Sequence, residues 1–257
     1  MTETSPPVLY SVEGAQARIT LNRPEKRNAL NDVIVSGLAS ALHDAELDQS
    51  VRVVVIRGAG KDFCSGADLS ALEKISGASV AENVADARSL MDLFVRIRRM
   101  RMPVVAAVQG RALAGGCGLA TACDLVLANA SARFGYPEVK IGFVPAMVMA
   151  ILRRNVSEKH AFELTTRGQE ISAEEAKSVG LINQVFPDEI FEEELANYLQ
   201  SFTKVSAAAV TLTKQLLYQM DAMPFIEAIE TGVDVNVIAR MTDDCQQGIR
   251  KFLNKAQ

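Results

Sequence analysis

The first half of the chain alternates short apolar runs with longer polar or periodically apolar stretches, and its end is patterned for helices only. VLYSV (8–12) and ARITL (17–21) read as a hairpin joined through Glu13 and Gly14. NRPEKRNALND (22–32) is a polar loop running into a helix that reaches Leu47, with Asn31 or Asp32 placed to cap it. VRVVVIRG (51–58) and VVAAVQG (104–110) are near-continuous apolar runs, as in strands covered on both faces. Between them lie a loop, KDFCSGADLS (61–70), and a long helix over 80–101 ended by Pro103; DLVLA (124–128) is a further strand. Near Gly168 the character changes. SAEEAKSVG (172–180) has a serine cap and a glycine stop, and beyond Pro187 only helices are predicted, over 188–203, 206–219, 225–240 and 243–254. The pattern predicts a strand–helix core over 1–195 and an all-helical region over 196–257, with no internal repeat.

One segment departs from this grammar. LAGGCGLATACD (113–124) places Ala114, Gly115, Gly116 and Gly118 where a helix should begin. Each glycine costs a helix interior roughly 1 kcal/mol relative to alanine. The offsetting gain is either close packing against a neighbouring element or close approach of backbone N–H groups to a ligand. The loop after 51–58, GKDFCSGADL, resembles the loop after 104–110, GRALAGGCGL: both follow a buried strand, carry small residues and lead toward a helix. If the two strands are parallel neighbours, both loops leave the same sheet edge, where such sheets place ligands. One N–H from each could then meet a single oxygen. Two ordinary glycine turns would show the same spacing.

Composition narrows the chemistry. At 257 residues, 49% hydrophobic, with charges spread along the chain, the sequence suits a globular protein with no transmembrane run. MTETSPPVLY lacks a basic-then-apolar leader pattern, and four cysteines (Cys64, Cys117, Cys123, Cys245) show no CxxC or zinc spacing, so a reduced, cytoplasmic setting is expected. The net charge of −4 disfavours nucleic acid as a partner, and RIRRMR (96–101) reads as the solvated end of a helix. Two histidines, His43 and His160, have no Ser or Cys partner motif and cannot form a three-histidine metal site. Acid–base work therefore falls to a carboxylate.

FCSGADL, PVVAAVQGRALAGGCGLATACDLVLA and ARFGYPEVKIGFVPA resemble the signature of the crotonase (enoyl-CoA hydratase/isomerase) superfamily, as do NRPEKRNALN, SAEEAKSVGLINQVF and QQGIRKFLNK. The resemblance covers nearly the whole chain. It implies an α/β fold, a spiral of ββα turns with a C-terminal helical trimerisation region, assembling as a trimer or dimer of trimers. It implies an oxyanion hole from the backbone N–H groups of Ala67 and Gly115, which hold an acyl-CoA thioester carbonyl as an enolate forms. It places coenzyme A near Lys26, Arg27, Ala29, Asp68 and Leu69, and leaves open whether Phe252, Arg250, Lys251 and Lys255 touch ligand or pack between subunits. Coenzyme A would enter as part of the substrate; no metal or redox cofactor is expected.

The resemblance also exposes a departure. Family hydratases carry two glutamates around the water that is added. One of these positions is Gly118 here; the other is Glu138, in GYPEV. A single carboxylate suffices to move a double bond from the 3- to the 2-position, because it can take a proton at one carbon and return it at another. Adding water with it requires another group to hold the water. Hydratase and 3,2-enoyl-CoA isomerase thus both remain open, as does a non-catalytic acyl-CoA binder. Gly118 is expected to leave space for a branched acyl group. Met147, Val148 and Met149 fit a helix core, or else Phe143, Val144 or Met147 narrows the acyl pocket. Asp124 reads as structural, its charge satisfied by nearby backbone.

Overall fold

A computed structural model describes residues 5–255, with the side chains of Leu69 and Lys255 outside the description. Residues 1–4, part of the segment read for a leader, also lie outside it. Six strands build the main sheet in the order β1 (Val8–Glu13), β2 (Gln16–Leu21), β3 (Val53–Gly58), β4 (Val104–Val108), β6 (Leu125–Asn129) and β9 (Gln184–Phe186). β1 and β2 form the expected antiparallel hairpin, and every other neighbouring pair is parallel. The strands β5 (Arg111–Leu113), β7 (Arg133–Gly135) and β8 (Glu170–Ser172) form a second sheet beyond the first one's edge.

The continuous apolar runs follow from burial on two faces. Val54, Ile56, Val104 and Ala106 join a large core with Ile34, Leu38 and Leu42 of α1 (Asp32–Leu47). Leu93, Phe94 and Ile97 of α3 (Val80–Arg99), reached through α2 (Leu69–Gly77), complete that layer. The alternate residues Val53, Val55 and Val105 point the other way, onto Phe191, Leu195 and Leu199 of α8 (Phe191–Ser201). Caps sit where the polar punctuation placed them. Asn31 accepts from the Ile34 N–H at 3.0 Å, and Ser172 and Glu175 form a capping box at the start of α7 (Ala173–Ser178).

The glycine-run helix α4 (Gly115–Ala122) is followed, beyond β7, by α5 (Ala146–Asn155) and α6 (Glu158–Arg167). The chain ends in α9 (Ala207–Gln219), α10 (Phe225–Met241) and α11 (Asp243–Lys255). Among the described residues no helix is long and apolar enough to cross a membrane.

Two expectations need correction. The arginines of RIRRMR are not simply solvated. Arg98 lies 4.5 Å over the Tyr218 ring, and Arg101 donates to the carbonyls of Asp48 (2.5 Å) and Val51 (3.2 Å), tying the end of α3 to α1 and α9. Asp124 is satisfied only partly by backbone. It accepts from the Val104 N–H at 2.6 Å, and also from Lys214 Nζ (2.6 Å) and the Tyr218 hydroxyl (2.7 Å) of α9.

Candidate active site

The loops leaving β2, β3 and β4 continue the parallel pairing beyond the sheet. Leu30 donates to Gly66 O at 2.7 Å and accepts from the Asp68 N–H at 2.9 Å; Cys64 donates to Arg111 O at 3.0 Å and accepts from Leu113 at 2.9 Å. In such a pairing the residue between two bonded neighbours turns its own N–H to the opposite side. Ala67 is that residue. It is exposed, and its N–H meets no acceptor among the described residues. The Gly115 N–H is likewise without a described acceptor, as expected of the first residue of a helix.

Glycines bring these two groups together. Gly66 has φ +97°, and a Cβ on it would lie 2.8 Å from Ala114 Cβ and 3.6 Å from Gly115 N. A Cβ on Gly116 would meet Cys64 Cβ and Sγ at 2.7 Å. The glycine run therefore packs α4 onto the Cys64 loop, and the first N–H of α4 is open.

Between them Ala114 adopts φ +49° and ψ −128°, a conformation suited to glycine. Such strain costs of order 1–3 kcal/mol and clusters at functional sites. Ala114→Gly should raise the thermal unfolding midpoint, with a net gain of about 1 kcal/mol after glycine's added chain entropy. A lower midpoint would show that the methyl group's contacts outweigh the strain.

Glu138 sits in a single 3-10 turn, Pro137–Ile141, directly after β7. β7 pairs with β5, and the Ala114 N–H donates to Gly135 O at 2.9 Å, so this turn is held against the start of α4. The Tyr136 hydroxyl, 2.6 Å from Thr121 Oγ1, clamps the same segment to α4; Thr121 in turn donates to Cys117 O at 2.7 Å. Glu138 is half-buried, and its Oε2 is fully enclosed with no hydrogen-bond partner among the described residues. Burial pushes its carboxyl above the ordinary glutamate value. The thiols of Cys64 and Cys117 are raised by burial to about 12 and about 11, the latter with a smaller contribution from the Glu138 charge, so both are packing groups rather than nucleophiles.

The proposed coenzyme A residues divide. Lys26 and Arg27 are exposed, Arg27 Nε lying 3.9 Å from buried Asp62. Ala29 is buried, and its carbonyl accepts from Arg23 at 3.3 Å. The Asp68 carboxylate is committed to Arg23 (2.8 Å) and to capping α2 through the Ser70 N–H (3.2 Å). The side chains of Leu69 and Lys255 lie outside the described residues. Phe252, Arg250 and Lys251 are exposed on α11.

Two residues that shape this loop were not singled out by motif. Fully buried Asn28, at φ +55°, donates to Ala59 O (2.9 Å) and Asp62 O (2.8 Å) and accepts from the Arg23 N–H (2.9 Å). Asp62 accepts from the Arg111 N–H at 3.0 Å, tying the β3 and β4 loops together. Neither histidine joins the site: His43 is exposed on α1, and His160 meets Ser157 at the α6 cap.

The expected space at Gly118 is absent. A Cβ there would lie 2.5 Å from Val148 Cγ2 and 3.5 Å from Phe94 Cζ, so these side chains fill the volume expected to admit a branched acyl group. Val148 is core, Met147 and Met149 are half-buried, and Phe143 and Val144 are exposed.

An α/β spiral whose parallel-strand loops present free amides, with an unpartnered glutamate oxygen on the turn held against α4, defines a class, and comparison with known proteins identifies it. The enoyl-CoA hydratase/isomerase family profile matches residues 12–257. A Thermus thermophilus protein assigned to the enoyl-CoA hydratases is 42% identical over 243 residues, covering 95% of this chain and 96% of its own. The 2,3-dehydroadipyl-CoA hydratase of Escherichia coli is 34% identical, covering 92% of this chain and 91% of its own. The crystal structure of a Mycobacterium smegmatis enoyl-CoA hydratase superposes with TM-score 0.93 at 31% identity, covering 98% of this chain and 97% of that one. The chain belongs to the enoyl-CoA hydratase/isomerase family, with the crotonase fold.

Proposed function

We propose that the protein is a hydratase-type acyl-CoA enzyme that holds the thioester carbonyl on the N–H groups of Ala67 and Gly115 while Glu138 moves a proton on the acyl chain. The observation that carries this reading is the enclosed, unpartnered Glu138 Oε2 on a turn clamped to α4, the helix whose first N–H is free. The water oxygen bonds to C3 of a 2-enoyl thioester as Glu138, a carboxylate, takes one of the water's protons; the C2–C3 pair moves onto the thioester oxygen, and the same proton then passes from Glu138 to C2. Two backbone donors and the start of α4 favour negative charge there. Lys26 and Arg27 suit the coenzyme A phosphates, and the backbone near Ala29, Asp68 and Leu69 suits its adenine end. No further cofactor is needed for proton transfer.

A second reading, 3,2-enoyl-CoA isomerase, is favoured by the lone carboxylate. Glu138 would take a proton at C2 of a 3-enoyl thioester and return it at C4. We further propose a trimer or dimer of trimers. Phe225, Val233 and Met241 of α10 are 76%, 59% and 77% exposed, a larger apolar face than a lone subunit commonly shows to water.

The test follows the absorbance of the conjugated enoyl thioester. Loss of signal from a 2-enoyl-CoA would support water addition, and a gain from a 3-enoyl-CoA would support the double-bond shift. Silence with both, alongside intact thioester binding, would overturn catalysis in favour of a binder.

A further inference from the structure

We infer that Arg23 is a positioning residue for the Ala67 N–H: its guanidinium heads a hydrogen-bonded chain of two peptide units whose last donor is that N–H. The inference rests on the proposed role of Ala67 in holding a thioester oxygen. Arg23 Nη1 donates to Ala29 O at 3.3 Å. The C=O of Ala29 shares a peptide plane with the N–H of Leu30, which donates to Gly66 O at 2.7 Å. The C=O of Gly66 in turn shares its plane with the N–H of Ala67, which has no acceptor among the described residues. Across a trans peptide, C=O and N–H point in opposite directions. Each link therefore passes its direction to the next, and the chain ends on an amide hydrogen facing away from Arg23.

Both ends of this chain are held. Asp68, the residue after Ala67, binds Arg23 Nη2 at 2.8 Å, the two side chains being 19% and 9% exposed. The Arg23 N–H donates to the side chain of buried Asn28 at 2.9 Å, and the Asn28 N–H donates back to Arg23 O at 2.9 Å. The Asp68 N–H donates to Leu30 O at 2.9 Å, so the peptide on either side of Ala67 is bound to Leu30. Gly66 needs this support. At φ +97° and without a side chain it is the freest link, and rotation there would turn the Ala67 N–H away from a bound oxygen. The guanidinium also polarises the chain, because a bond made at a C=O strengthens the N–H of the same unit as a donor. Exposed Lys26 and Arg27 lie on the turn between Arg23 and Ala29, so the loop proposed to meet coenzyme A and the proposed oxyanion donor share one support.

The test reads the carbonyl itself. Butyryl-CoA carrying ¹³C at the thioester carbon is bound to the protein, and its C=O stretch is followed by isotope-edited infrared spectroscopy. Wild type should lower the stretch, because hydrogen bonds to the oxygen weaken the C=O bond. In Arg23→Gln the shift should shrink by about half, since one of two donors is misaimed. Its kcat on the enoyl-CoA that the wild type consumes should fall about tenfold or more, short of the ~10²–10³ lost with a whole donor. Free coenzyme A has no thioester carbonyl, and its calorimetric affinity should stay within about twofold of wild type. Arg23→Lys keeps the charge but not the planar fork; it should fold as wild type does and recover part of both losses. A full shift in Arg23→Gln, or in Arg23→Lys if the glutamine variant does not fold, overturns the inference and leaves the thioester-holding site in place. A loss of free coenzyme A affinity as large as the loss of turnover also overturns it, since Arg23 would then only shape the loop. A wild type that binds butyryl-CoA with no shift, or does not bind it, rejects the thioester-holding site itself.

Discussion

Glu138→Gln should lower turnover by ~10²–10⁴-fold, the usual contribution of a positioned acid–base group, while the protein still binds acyl-CoA thioesters. Glutamine keeps the shape of the side chain and removes only its ability to accept a proton. The two proposed amide donors and the proposed coenzyme A loop are untouched, so calorimetric affinity should hold while kcat falls. Burial raises the Glu138 carboxyl above its ordinary value, and the base must be ionised to act. Activity should therefore rise with pH through a value above the usual glutamate range, and the variant's residual rate should lack that step. The same shift has a consequence for stability. The folded state binds the Glu138 proton more tightly than the unfolded chain, so this carboxyl favours folding at low pH. That contribution is lost as pH rises through the folded-state value. At neutral pH the variant should melt no lower than wild type. A lower midpoint together with lost activity would point to damaged structure rather than a missing base.

The parts of this molecule that could be read from sequence are those in which local pattern and burial agree. β3 and β4 are continuous apolar runs because alternate residues face α8 on one side and α1 and α3 on the other. The caps at Asn31 and Ser172 use their own side chains and follow local rules. The pattern predicts none of β5, β7, β8 and β9. Each is three residues long, too short for a period, and is held by pairing with a distant strand rather than by local pattern. α2 lies almost wholly between the loop read over 61–70 and the helix read over 80–101, a stretch to which the pattern assigns nothing; its cap, Asp68, is also an ion-pair partner of Arg23 in a distant loop. At the site, motif likeness names Ala67, Gly115 and Glu138 as candidates, but the space it assigns to Gly118 is filled. A missing side chain reads as space in a sequence, whereas here α5 brings Val148 into that space. Asn28 carried no signal beyond an asparagine in a polar loop, because its role depends on carbonyls more than thirty residues away.

Asp124→Ala should cost about 3–5 kcal/mol of stability, the usual range when one partner of a buried ion pair is removed. Lys214 is 7% exposed and lies in α9, a helix otherwise loosely attached to the sheet. Its ammonium has three partners: the carbonyls of Ile97 and Met102, both at 2.9 Å, and Asp124 at 2.6 Å. Burial already lowers the Lys214 ammonium below its ordinary value, against the pull of Asp124. Without the carboxylate, a desolvated cation would remain on two neutral carbonyls. The Tyr218 hydroxyl and the Val104 N–H would lose their acceptor as well. Asp124 therefore joins the first residue of β4 and the start of β6 to α9, and its loss should free the C-terminal helices from the sheet. Denaturant midpoints measure the effect, and a second substitution identifies the cause. If the orphaned charge dominates, Lys214→Met added to Asp124→Ala should recover much of the loss, because the methionine fills the lysine stem's volume without a charge. A double variant no more stable than Asp124→Ala would assign the cost instead to the lost acceptor of Val104 and Tyr218.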